Sequence, residues 1–320
     1  MSMEERPPTD RRGERRAYWM IRGAEWAGMH LPRRLGIAGG EAFMRVERRR
    51  SSEQRAVVAA NMAQVLGHPV DSSLVDRAVR ECFRLYGRYW YETFALRSMS
   101  TEEVNRRFVI EGREHIDNAL AQGRGWIGAL PHMGNWDAAG HWLAVNGYRM
   151  TAVAEELKPP EVSDLFLRHR RALGMGIVPL TKDRRAGEAI VRLLMQNELI
   201  TLVSDRDLTR RGVRVEMFGA PRVLPAGPAY LSLMTGSPLS VASVFTTDEG
   251  WRCVINPPLQ VERSGNTRRD VTKMTKRIAA QFESFIASAP TDWHMFQPAW
   301  EDLPPDREGA AVGAETTAPP

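Results

Sequence analysis

Between residues 74 and 96 apolar positions recur at spacings of three and four, at Val75, Val79, Cys82, Tyr86, Trp90 and Thr93-Phe94, the period of one buried helix face. The same period predicts helices over "AYWMIRGAEWAGMHL" and "RAVVAANMAQVLG", so residues 17–97 read as a helical N-terminal part. After residue 107 the pattern changes. Brief apolar runs at 108–110, 126–130, 150–154, 177–180, 199–204 and 239–245 are mostly separated by helical stretches at 113–122, 136–146, 161–173 and 186–196. That alternation predicts an α/β fold, a central mostly parallel or mixed sheet flanked by helices. Val271, Met274, Ile278, Phe282 and Phe285 mark a closing amphipathic helix that stops before Pro290.

The two ends have little to bury. Residues 1–16 read as a flexible polar tail and 304–320, rich in Pro, Gly, Ala and Thr, as a disordered one, with a single domain over 17–303. With 320 residues, 43% of them hydrophobic, the chain can build a substantial core. It has no apolar stretch long enough to span a bilayer, and its charged start lacks the apolar segment of a secretory signal. The expectation is therefore an intracellular protein. The two cysteines, Cys82 and Cys253, have no metal-ligand spacing and read as buried, inert thiols.

Charge adds a partner class. The net charge is +5, and only four of the 44 basic residues are lysines. Such a balance suits an anionic partner: nucleic acid, a membrane surface or a phosphorylated substrate. With no RNP-like aromatic strand, zinc finger or Lys/Arg tract, nucleic acid is not expected. Tyr18, Trp19, Ile21 and Trp26 interleave with Arg16, Arg22, Arg33 and Arg34, as in a helix lying at a membrane interface. Docking of that helix on its own domain is the ordinary alternative.

The candidate chemistry begins at "LPHMGNWDAAG", residues 130–140, directly after an apolar strand. Strand-to-helix turns are where α/β folds keep their sites. In a regular helix His132 and Asp137 would sit about 140° apart, so they share a side only if the chain bends between them. Gly134 permits such a bend, Asn135 is a good N-cap, and Asp137 then falls in the first helical turn. A carboxylate there could hold one imidazole nitrogen and leave the other to take a proton. With no GxSxG elbow and no motif around either cysteine, the nucleophile is expected to be water or a substrate alcohol.

A second cluster, "VSDRDLTRRGVRVEMFG", follows the run at 199–202. Asp205 and Asp207 alternate to one side, and either could give the histidine a carboxylate. Arg206 could pair with a phosphate or a neighbouring carboxylate. In a third group, "VAEELKPPEVSDLFLRHRRALG", Glu155 closes a strand and Arg170 follows on a helix, a combination suited to binding a polyol or simply to a surface ion pair.

Taken with "NMAQVLG", "RHRRALGMGIVPL", "LPAGPAYLSLMTGSPL" and "DWHMFQPAW", these segments resemble the bacterial lipid A lauroyl/myristoyl acyltransferase superfamily. Within it they are most similar to the actinobacterial phosphatidylinositol mannoside acyltransferases, over roughly residues 17–301. The resemblance implies a glycerolipid acyltransferase-like fold and transfer of a fatty chain from acyl-CoA, a co-substrate, to a mannose hydroxyl of phosphatidylinositol mannoside. No cofactor or metal is implied. His132 matches the catalytic base, Asp137 the acid of the HxxxxD motif, and Asp205 the carboxylate completing a dyad with the histidine. The family carries glutamate at that last position, so the shorter aspartate could meet the imidazole directly or through water. Glu155 and Arg170 match positions holding the acceptor sugar, with His294 a further candidate beside it. Backbone N–H groups would serve the oxyanion. An anionic lipid acceptor implies peripheral binding at the cytoplasmic face of the cell membrane. The rival readings are a thioesterase or lipid hydrolase, an acyltransferase of a glucosamine lipid, and a non-catalytic lipid-binding protein.

Overall fold

The computed structural model describes residues 12–155, 160–180, 185–207, 212–260 and 263–300. Four helices open the chain: α1 (Arg12–His30), α2 (Arg33–Arg50), α3 (Ser52–Leu66) and α4 (Ser73–Ala95). Residues 12–16, expected in the polar tail, thus belong to α1; residues 1–11 and 301–320 lie outside the described residues. Ser51 and Ser72 cap α3 and α4 by accepting the amides of Gln54 and Val75. The anticipated face of α4 is buried at Val75, Val79 and Cys82, but the helix is enclosed more widely than one stripe. Its Glu92 is paired with Arg88 at 2.9 Å and Arg33 at 3.0 Å and accepts the Trp251 indole.

α2 was not expected, and its packing explains why. Only Gly36 and Met44 of this helix are buried. A Cβ on Gly40 would lie 2.4 Å from the Gly87 carbonyl oxygen, and one on Gly36 would enter the Tyr91 ring. α2 therefore meets α4 backbone to backbone, through missing side chains, and leaves no apolar period to read.

The α/β part contains α5 (Thr101–Arg107), β1 (Phe108–Glu111), α6 (Arg113–Ala121), β2 (Trp126–Leu130), α7 (Trp136–Val145), β3 (Met150–Glu155), α8 (Pro160–Ala172), β4 (Gly176–Leu180), α9 (Arg185–Met195) and β5 (Leu199–Val203). Then come the hairpin β6 (Val213–Met217) and β7 (Ala220–Leu224), α10 (Gly227–Thr235), β8 (Leu239–Thr246), β9 (Trp251–Ile255) and α11 (Thr267–Ser288). Seven strands form one sheet in the order β1-β9-β8-β2-β5-β3-β4, parallel throughout except β8 with β9. This is the mostly parallel α/β fold with a helical N-terminal region that the sequence pattern predicts. The hairpin, α10 and β9 are additional to the predicted elements; β9 shows only three inward positions, Trp251, Cys253 and Ile255, too brief a period to single out.

β2 is buried along its whole length, as a central parallel strand covered on both faces should be. On one side Trp126 and Leu130 pack with Ala138, Trp142 and Leu143 of α7. On the other, Ile127, Ala129 and Ile200 meet Met274, Ile278 and Phe282 of α11. Among the described residues no helix is long and apolar enough to cross a membrane.

Candidate active site

β2 and β5 are neighbours with Leu130 opposite Val203, and the Ser204 amide bonds the Leu130 carbonyl at 2.8 Å. Carrying that register two residues past each strand end sets His132 beside Asp205. The imidazole Nδ1 lies 2.5 Å from Asp205 Oδ1, and the His132 main-chain N–H donates to Oδ2 at 3.0 Å. Asp205 is fully buried, whereas the His132 side chain keeps 25% of its surface exposed. Oδ2 also accepts the Trp293 indole N–H at 2.8 Å, and Arg222 donates to the Asp205 carbonyl. The Arg222 guanidinium is itself held between the Trp293 and Trp300 rings, 5.2 and 5.3 Å from their centroids. Burial opposes ionisation of Asp205, but the imidazole, Arg222 and the indole N–H outweigh it and hold the carboxyl well below the usual carboxylate range. An ionised Asp205 fixes the proton on Nδ1 and leaves Nε2 as the ring's acceptor.

The HxxxxD turn is shaped by other contacts. Gly134 has φ +54°, and a Cβ there would lie 2.3 Å from the Val244 carbonyl oxygen. Asn135 caps α7 by accepting the Ala138 amide at 2.9 Å. The segment after α11 returns antiparallel to this turn: Gly134 donates to the Asp292 carbonyl at 3.0 Å and His294 to the His132 carbonyl at 2.7 Å. The amides of His132, Met133 and Gly134 are all engaged within the protein, so an oxyanion would need other donors than these three.

Asp137 does not hold the imidazole. The first-turn position points it away from His132 and onto Arg170, whose Nε and Nη2 donate to its two oxygens at 2.6 and 3.3 Å, with the Tyr89 hydroxyl at 3.2 Å. Burial raises the cost of ionising Asp137, and Arg170 more than offsets it, so the carboxyl stays below its ordinary range. The two aspartates thus divide the contacts suggested for either: Asp205 orients the His132 ring, and Asp137 anchors α8 to α7 through Arg170.

His132 opens into a cleft of about 530 Å³ whose lining includes Tyr86, Trp136, Arg170, Arg206, Asp207 and His294. Asp207, the other aspartate on this loop, accepts the Gly212 amide at 2.7 Å and leaves the imidazole to Asp205. His294 is 5% exposed, its ring packed near Tyr86, Tyr89 and Trp136 with neither nitrogen hydrogen-bonded. Burial and the nearby His132 push it down to about 3. It therefore stays uncharged and offers one donor and one acceptor. Glu155 closes β3 opposite Leu180; its side chain lies outside the described residues. Next to the cleft, sharing Trp136 and Arg170, an apolar cavity of about 70 Å³ lies between α7 and the sheet, with Trp126, Leu143 and Met175 in its wall. Sequence reasoning missed Trp293, Arg222 and Tyr89. Trp293 stands in the quoted "DWHMFQPAW", but nothing local signals that it reaches Asp205.

Comparison with known proteins gives this geometry a context. Residues 9–302 match the family described as bacterial lipid A biosynthesis acyltransferase. A phosphatidylinositol mannoside acyltransferase of Mycobacterium tuberculosis (strain CDC 1551 / Oshkosh) is 40% identical over 243 residues, 75% of this chain and 75% of that protein. One of Mycolicibacterium smegmatis is 39% identical over 249 residues, 77% and 80% of the two chains. A lipid A biosynthesis acyltransferase of Haemophilus influenzae is 22% identical over 254 residues, 76% and 74%. A match over nearly the whole described chain, joined to relatives at this identity, places the protein in the bacterial lipid A biosynthesis acyltransferase family.

Proposed function

We propose that this acyltransferase moves a fatty chain from acyl-CoA to a mannose hydroxyl of phosphatidylinositol mannoside, at the cytoplasmic face of the cell membrane. His132 acts as general base and no acyl-enzyme forms. The observation that carries the reading is the His132 imidazole, held at Nδ1 by a buried carboxylate and facing a cleft from its free side. Nε2 takes the hydroxyl proton as the sugar oxygen attacks the thioester carbonyl. The tetrahedral intermediate then expels the thiolate, which recovers that proton from Nε2, so an ester and free CoA leave. Both cysteines are buried away from this chemistry, and burial pushes Cys253 up to about 12.

Uncharged His294 matches a sugar hydroxyl, which also donates and accepts, and Arg206 lines the same cleft where a phosphodiester would lie. Arg170 is committed to Asp137 and would act on the acceptor from that fixed position. The two relatives at 39–40% identity are both phosphatidylinositol mannoside acyltransferases, which favours the mannolipid over a glucosamine lipid. Supplying purified protein with palmitoyl-CoA and mannosylated phosphatidylinositol should divert the chain to the lipid. Release of free fatty acid alone would instead select the hydrolase reading. Exposed Trp19 and Trp26 and the arginines of α1 and α2 support peripheral binding. Flotation with anionic vesicles is expected at low salt and should weaken at high salt.

A further inference from the structure

A second groove, of about 560 Å³, runs between α1, α2 and α4 and is lined by apolar residues such as Trp19, Met20, Leu31 and Phe43. Tyr86 and Trp90 line both this groove and the catalytic cleft, so the two spaces share an aromatic wall. Its rim is apolar yet open to solvent, with Trp19 56% and Phe43 43% exposed. Trp26, Met29 and Leu35 continue the exposed apolar surface. Contiguous exposure of this kind marks an interaction surface, and tryptophan favours the membrane boundary. α2 also carries Arg34 and the run Arg48-Arg49-Arg50, the charge that an anionic lipid surface attracts.

Two glycines in the lining add an independent argument. Inside a helix glycine costs about 1 kcal/mol relative to alanine. At Gly36 and Gly40 the close approach of Tyr91 and Gly87 explains the residue, but a Cβ built on Gly23 or Gly39 meets nothing within 4 Å. No contact within the protein requires glycine there; what their missing side chains leave open is the groove.

We propose that this groove holds one acyl chain of the membrane-borne acceptor lipid while its headgroup reaches His132. The inference rests on the acceptor assignment made above. It assigns the groove to the acceptor because the lining lies on the helices with exposed tryptophan and arginine and adjoins the cleft. The acceptor is then recognised by tail as well as head, and a deacylated headgroup binds more weakly.

A Cβ at Gly39 meets no protein atom within 4 Å, so Gly39→Leu would project into the groove and should raise helix propensity. Gly187→Leu on α9, where a side chain also meets nothing within 4 Å, serves as control. Calorimetric titration with dioctanoyl phosphatidylinositol should give Gly39→Leu an affinity roughly tenfold below wild type and Gly187→Leu. Glycerophosphoinositol, the same headgroup without chains, should bind all three alike. Equal affinity of the three proteins for the dioctanoyl lipid, or no binding by wild type, would overturn the proposal. So would a tenfold rise in KM for palmitoyl-CoA in Gly39→Leu, which would give the groove to the donor chain. These titrations involve no turnover, so a protein that binds the lipid but acylates no mannolipid would sink the functional reading and leave the groove assignment standing.

Discussion

Nδ1 of His132 lies 2.5 Å from Oδ1 of Asp205, whose other oxygen takes the main-chain N–H of the same histidine. One buried carboxylate thus fixes both the ring and the backbone that carries it, and the Trp293 indole fixes the carboxylate. An amide at this position keeps the shape but loses the charge that favours a proton on Nδ1. Asp205→Asn should lower kcat/KM by about 10²- to 10⁴-fold in a protein that remains folded. A folded Asp205→Asn protein with wild-type kcat/KM would remove Asp205 from the dyad.

Asp137 should behave differently. Replacing it with alanine leaves the Arg170 guanidinium in a site where its side chain is only 18% exposed, without its carboxylate. Breaking a buried pair from one side costs on the order of 3–5 kcal/mol, so Asp137→Ala should unfold at distinctly lower urea. Asp137→Ala with Arg170→Leu should recover part of that loss. Additive losses in the double variant would deny the coupling.

Acid stability has two separable windows. His169 and His294 are buried and held down to about 4 and about 3, so below pH 6.5 the unfolded chain binds protons that the folded chain refuses. Stability then falls with falling pH by about 1.4 kcal/mol per unit for each histidine, or roughly 4 kcal/mol for the pair by pH 5. Asp205 and Asp137 have depressed folded values. Their contribution is intact above about pH 4 and is lost only as pH falls through those folded values. Urea unfolding at pH 7.5, 6 and 5 should show the histidine window, and a flat response would contradict it.

The turn itself can be tested at Gly134. Its φ is +54°, and a methyl group on its Cα would lie 2.3 Å from the Val244 oxygen, so Gly134→Ala must shift backbone on one side or the other. A loss of about 1–3 kcal/mol is expected together with reduced turnover, because His132 lies two residues away. Wild-type stability and rate would show that the turn tolerates the change.

Much of the sheet was legible because β2 is buried along its length and β5 is nowhere fully exposed, so both appear as mainly apolar runs. α2 was hidden because glycine contacts carry its packing. At the site, His132 and its place after a strand could be read locally. The choice of Asp205 over Asp137 could not, since it depends on β2 and β5 pairing in register across 73 residues. Family resemblance pointed to Asp205 but left direct contact open, and the contact proves direct. Trp293 reaches Asp205 because the segment after α11 folds back beside the turn, and Arg222 because the β6–β7 hairpin returns to the Asp205 loop; no local pattern announces either return.

The most direct measurement is steady-state transfer from palmitoyl-CoA to mannosylated phosphatidylinositol by purified wild type and His132→Ala. With its imidazole partly open to the cleft, the variant should remain folded, with a lowered unfolding midpoint because buried Asp205 loses its ring partner, and lose at least about 10²-fold in rate. Near-normal transfer by a folded His132→Ala protein would contradict the account.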